Sequence, residues 1–289
     1  MDISKILAIG FALIAFAYHP GEVEAQPPDG YHLVWADEFD GSGRPDLRNW
    51  TYELGFVRNK ELQWYQAENA FREEGVLVIE GRRERKPHTQ YQPQSGDWRA
   101  AMQFIEYTSS SLTTRELHSW QYGYFEIRAQ LRAEEGLWPA IWFLGVEGEW
   151  PSSGEIDLME YYQGHILANA CWDTRERWVG EWNTSKRPLD SFGDPEWAEK
   201  FHVWSMTWDE QRIELAVDGE VLSTIEISDI ANPTDRGPKN PFRQPHYLLI
   251  NLAIGGNAGG NPTHTAFPTR YEIDYARVYQ RGGHLEQSE

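Results

Sequence analysis

Between Tyr31 and Gln280 the apolar residues recur at every second position in short runs broken by turn residues, and helical spacing is scarce. In residues 122–132, Phe125, Ile127, Ala129 and Leu131 fall on one face, with Tyr124, Glu126, Arg128 and Gln130 on the other, as in a half-buried strand. Residues 212–225 read as two strands joined at Asp218-Gly219, a dipeptide that takes the positive φ angles of a type I′ hairpin turn. Residues 76–79, 201–208, 246–253 and 271–279 give further strands, and residues 195–200 a single helical turn. So many short strands, with no internal repeat and no long linker, hide their apolar faces by packing two antiparallel sheets against each other. The expected fold is all-β: a jelly-roll sandwich whose concave outer face makes a groove, with the Gly/Pro-rich stretches 41–45, 87–96 and 231–245 as loops rimming it.

The first 25 residues stand apart from this pattern. Lys5, an apolar run over residues 6–17 and the small-residue site Val23-Glu24-Ala25 read as a cleavable secretory signal. Residues 26–289 are then expected as one domain, secreted or periplasmic, monomeric and without a membrane segment once the signal is removed. Cys171 is the only cysteine, so no internal disulfide supports the exported chain and a large core must do so. The net charge of −19 repels phosphate backbones, which excludes nucleic acid as a partner and disfavours heavily sulfated polymers. The 14 tryptophans and 14 tyrosines exceed what packing usually recruits, and sugar rings stack on such surfaces, so a polysaccharide is the expected partner. The histidines show no ligand spacing, so no catalytic zinc is expected.

Residues 154–160, Gly-Glu-Ile-Asp-Leu-Met-Glu, carry the acids Glu155, Asp157 and Glu160. Glycoside cleavage needs two carboxyl groups flanking the scissile bond, one protonated to assist the leaving oxygen and one ionised. In a regular strand Glu155 and Asp157 share a face and Glu160 points the other way. A bulge near Leu158-Met159 restores Glu160 to the face of Glu155 and is predicted there. Asp157 is then expected to hydrogen-bond Glu155, while crowding by the other acids raises the pKa of Glu160. The spacing favours a retaining pair.

That segment resembles the signature of glycoside hydrolase family sixteen, the laminarinases, lichenases and their relatives, in its bulged form. The resemblance extends over about 240 residues, through segments 35–40, 59–65, 122–123, 136–142, 251–256 and 274–279. It implies a jelly roll, Glu155 as nucleophile, Asp157 as its helper and Glu160 as acid/base, with no cofactor required for catalysis. It also implies that Asn59 bonds sugar on the non-reducing side and that Trp138 and Trp142 line the groove, with Arg115 as a further polar contact. Many relatives carry a structural calcium, and the matching residues here are Asp274, with Glu38 and Gly81 offering carbonyl oxygens. The sequence departs from laminarinase-like members on the strand after the acids, where their histidine is replaced by Cys171 or Trp172; Trp172 is taken as the substrate contact. The implied activity is retaining endo-hydrolysis of β-1,3 or mixed β-1,3/1,4 glucans by double displacement. A galactan hydrolase of the agarase, porphyranase or carrageenase type is the alternative, with Arg175, Arg177 and Arg187 available for sulfate. A non-catalytic sugar-binding protein would keep the aromatics and lose the acids, and all three acids are present.

Overall fold

The computed structural model describes residues 27–282, so the expected signal over residues 1–25 lies outside the described residues. Two sheets face each other. One has seven strands: β1 (Thr51–Tyr52), β2 (Ser111–Thr113), β3 (Leu137–Gly145), β4 (Glu155–Tyr162), β5 (His165–Asp173), β6 (Gly180–Pro188) and β7 (His246–Ile254). Their order across the sheet is β6-β5-β4-β3-β7-β2-β1, with β6 at one edge. The ten-stranded second sheet centres on Gly123–Gln130, flanked by Thr269–Arg281 and His202–Trp208. Among the described residues the pairing is antiparallel except where Gln63–Tyr65 runs parallel to Phe104–Ser109.

The alternation read from the sequence decides what lies between the sheets. Phe125, Ile127, Ala129 and Leu131 all point inward, and Phe125 meets Phe143 of β3 with ring centroids 5.2 Å apart. Along β3, Leu137, Ile141 and Phe143 enter this core. The intervening Ala140, Trp142 and Leu144 cluster instead with Tyr247 and Leu249 of β7 on the opposite, concave face. The hairpin forms where expected, with Asp218 at φ 50° and Gly219 at φ 78° between Arg212–Val217 and Glu220–Glu226. Residues 195–200 contribute one short 3-10 turn, Trp197–Glu199.

Two glycines separate backbone strain from steric exclusion. Gly219 has φ 78° and open space around it. Gly136, at φ 87°, leads into β3, and a Cβ there would lie 2.4 Å from the Pro262 Cα. That close approach lets the Gly136 carbonyl accept from the Gly255 N–H at 2.8 Å, docking the loop after β7 beside Trp138. Gly219→Ala is expected to cost about 1 kcal/mol, from the left-handed backbone alone. Gly136→Ala should cost clearly more, because backbone must also move. Thermal unfolding of the two variants checks this, and equal losses of Tm would contradict the packing argument.

Candidate active site

The three acids share one face because β4 is irregular. Its register slips between Asp157 and Glu160 against β5, and between Asp157 and Met159 against β3. Leu158 and Met159 both enter the core, so one extra residue is absorbed and the alternation changes phase. Glu160 thereby joins Glu155 and Asp157 on the concave face, in a cleft of about 690 Å³. The bulge lies where the spacing of the acids required it.

Each acid has its own donors. The Trp150 indole N–H donates to Glu155 Oε2, and Asp157 shares a hydrogen bond with Glu155. Trp138 Nε1 donates to Glu160 Oε1 at 2.8 Å. Asn169 Nδ2, from β5, donates to Glu160 Oε2 at 3.0 Å and to Asp157 Oδ2 at 3.3 Å. Burial raises all three pKa values. Asp157, 2% exposed, is lifted well above the carboxylate range by burial and by the charges of Glu160 and Glu155, so it holds a proton to donate to Glu155. Glu155 is raised by burial but pulled back by the donors Trp150 and Asp157 and by the Arg58 charge. Burial pushes Glu160 up to about 7, against the Trp138 hydrogen bond and with the help of the Glu155 charge. The three groups therefore carry fewer than three charges near neutrality: the Glu155 side is the more readily ionised and Glu160 retains a proton.

One arm of the cleft is polar. The Arg58 guanidinium stands 4.9 Å from the Trp142 ring centroid and pairs with Glu53. Trp142 Nε1 donates to Asn251 Oδ1 at 2.7 Å, and Asn251 Nδ2 to the Tyr65 hydroxyl at 2.9 Å. Glu61 accepts from Gln63 at 2.7 Å and from Asn59 at 3.3 Å. Trp138 and Trp142 line the cleft, as the resemblance implied, and Asn59 lines it with them.

Other expectations need correction. Trp172 faces away from the cleft: it packs against the core, edge-on to Phe242 at 6.3 Å. The register sets Cys171, not Trp172, opposite Glu155, and alternation sends the next side chain through the sheet. Arg115 does not line the cleft; its guanidinium lies 5.7 Å from the Tyr247 ring centroid. Arg175, Arg177 and Arg187 are also off the lining, Arg177 paired with Glu149 and Arg187 with Glu220. None of the loops 41–45, 87–96 and 231–245 lines the cleft; segments around Arg58, Trp150 and Trp178 do. The calcium set does not converge. Gly81 pairs with Thr269, five positions from Asp274, a separation of roughly 17 Å along the strand. The Asp274 carboxylate accepts from Arg128 at 2.6 Å, and the Glu38 carboxylate pairs with Arg277. These three residues do not fit one cation.

Arg58, Glu61, Trp150, Asn169 and Asn251 were not assigned from the sequence. Asn169 was within reach: once β5 is paired with β4, alternation puts it on the face of Asp157. Arg58 comes from a loop and nothing in its spacing marks it.

Residues 63–277 match the family model described as Glycosyl hydrolases family 16. A "Beta-glucanase" of Rhodothermus marinus is 36% identical over 264 residues, spanning 86% of this chain and 85% of that protein. The structure of SCLam, a non-specific endo-beta-1,3(4)-glucanase from family GH16, superposes with a TM-score of 0.72 at 35% identity, covering 89% of this chain and 94% of the other. A structure from work on endo-acting O-glycanases that initiate mucin breakdown in the human gut microbiota gives a TM-score of 0.79 at 32% identity, covering 88% and 92%.

The raised pKa of Glu160 has a stability consequence. Between the ordinary glutamate value of about 4.3 and the folded value, the folded chain keeps a proton the unfolded chain has released, so stability falls as pH rises through this window. Glu160→Gln removes that loss. Its Tm should exceed that of the unsubstituted protein at about pH 8, with the difference shrinking toward about pH 4.5. A variant less stable at both pH values would show that the Glu160 charge is not destabilising.

Proposed function

The chain belongs to the glycosyl hydrolases family 16 and is a glycoside hydrolase of the endo-1,3(4)-β-glucanase kind; on that premise we propose that it cuts internal β-1,3 or mixed β-1,3/1,4 glucosidic bonds by double displacement, with Glu155 as nucleophile and Glu160 as acid/base. The observation that carries the assignment is the β4 bulge, which faces two carboxyl groups with opposed environments into one cleft. Glu155, steadied by Trp150 and by a protonated Asp157, attacks the anomeric carbon while Glu160 gives its proton to the departing oxygen. The bond from the anomeric carbon to the leaving sugar breaks and a glycosyl ester of Glu155 forms. Glu160, now ionised, takes a proton from water as that water displaces the ester and restores Glu155.

The catalytic domain is proposed to act outside the cytoplasm after removal of residues 1–25, a reading supported by their charged, apolar and small-residue order. The likeness to the O-glycanase structure favours a second substrate for the same chemistry, a mucin O-glycan, beside the galactans named above. The cleft supplies none of Arg175, Arg177 and Arg187 for sulfate, which places neutral glucans first.

Incubation with laminarin, barley mixed-linkage glucan, agarose, a carrageenan and mucin, followed by product sizing, tests the substrate. Internal cleavage of a glucan is expected, and cleavage of galactosides alone would replace the first reading by the second. Glu155→Ala and Glu160→Ala should each lose at least about a thousandfold in kcat on the polymer that is cut. Proton NMR should show the β-anomer released first; the α-anomer would mean inversion. The profile of kcat/KM against pH should fall on its alkaline side near about 7, as Glu160 loses the proton it must donate.

A further inference from the structure

Across the concave face from the polar arm, strand registers define a row. Glu155 of β4 lies opposite Cys171 of β5, and Cys171 opposite Trp182 of the edge strand β6. Trp182 therefore sits two strand spacings from the nucleophile, ~9.6 Å, about the reach of a disaccharide. Between them the floor is low. Cys171 is wholly buried, and a Cβ on Gly180 would stand 2.2 Å from its Sγ, so β6 lies tight against β5 there.

A second indole, Trp178, projects from the turn between β5 and β6. Trp178 is 54% exposed and Trp182 43%, yet both line the cleft that holds the acids. Large apolar side chains left in water beside a catalytic cleft offer surface to a ligand, and flat indole faces match the apolar faces of sugar rings.

The turn carrying Trp178 is held from both sides. Arg177 stands 5.1 Å from the Trp178 ring centroid and is tied to Glu149 at 2.5 and 3.0 Å. The Thr174 hydroxyl donates to the Val179 carbonyl at 2.7 Å. Asp173, buried, receives Arg236 Nη2 at 2.6 Å, and the same nitrogen donates to the Thr174 carbonyl at 2.7 Å. Trp178 itself has φ 65°, a left-handed conformation that a bulky residue adopts only where its surroundings impose it. Trp178 is thus presented before a ligand arrives, and Trp182 is carried on a paired strand, which lowers the ordering cost of binding.

We propose that Trp178 and Trp182 form a stacking platform for the leaving-group end of the saccharide, and for a sugar acceptor in the second displacement. The proposal rests on the reading of Glu155 and Glu160 given above. The two arms differ as the two halves of the substrate do. Fixed polar contacts around Arg58, Asn59 and Trp142 suit the sugar that is held and becomes the covalent ester. Stacking tolerates exchange and suits the half that departs each turnover. When a sugar hydroxyl replaces water, its oxygen forms the new bond to the anomeric carbon, the Glu155 ester bond breaks and Glu160 takes the hydroxyl proton.

Trp182→Ala, Trp178→Ala and Trp182→Phe are assayed on the polymer that is cut, and on an aryl glycoside with the same glycone, whose leaving group is too short to need the platform. For the alanine variants kcat/KM on the polymer should fall about tenfold, at least several times further than on the aryl glycoside. The fraction of transglycosylation product formed with added oligosaccharide should drop, and Trp182→Phe should recover most of the polymer activity. Thermal unfolding checks that the variants are folded; if Trp182→Ala is not, Trp178→Ala and Trp182→Phe carry the same test. Unchanged polymer kinetics, or equal losses on both substrates, would overturn the platform and leave the assigned pair standing. Absence of aryl-glycoside and polymer cleavage by the unsubstituted protein would instead overturn the pair.

Discussion

Two consecutive side chains of one strand, Leu158 and Met159, both pack into the core, and the cleft depends on that irregularity. Its neighbours stay regular. On β3, Trp142 lies opposite Asp157 and Ala140 opposite Glu160, two residues apart, while β4 spends three over the same distance. On β5, Asn169 and Leu167 play the same part. The bulge is therefore confined to β4, and the strands beside it keep Trp138, Trp142 and Asn169 on the acidic face. Two buried apolar side chains, each contributing roughly 1.5–3 kcal/mol, hold the extra residue in place.

The same packing sets the electrostatics. A strand buried on its core face and walled by Trp138, Trp142 and Trp150 on the other gives its acids little water, and burial is the largest cause of the raised pKa at each of the three. Among the described residues no cation pairs with them at contact distance, which would fix all three as carboxylates. Uncharged donors, two indoles and one amide, orient the oxygens and leave the proton of Glu160 available. A site arranged this way reduces stability near neutrality, a cost that the continuous core of the sandwich offsets.

How much of this was legible in the sequence follows from the range of the interactions. Alternation over residues 122–132 and the turn at Asp218-Gly219 are local, and both appear in the fold as read. The bulge was legible too, because three acids at fixed spacing admit few ways of sharing a face. Trp172 failed by a single residue: only the pairing of Glu155 with Cys171 decides which member of the Cys171-Trp172 pair faces the cleft, and pairing is a long-range property. Gly81 failed for the same reason, through its register with Thr269. Arg58 and Trp178 reach the cleft from loops, whose course no periodicity records.

Charge then narrows what the cleft accepts. The arginines that line it are engaged, Arg58 by Glu53 and Arg99 by Asp97, and the surrounding chain carries −19. A polyanion entering along β3 and β4 would meet three buried carboxyl groups and cations already compensated, so each anionic substituent would lose water without gaining a partner. A neutral polymer would lose little, since Asn59 and Thr184 offer polar groups in the cleft wall and indoles stand on both sides of Glu155. Selection for an uncharged chain would thus follow from where the counterions already are, without a side chain dedicated to rejecting a charged one.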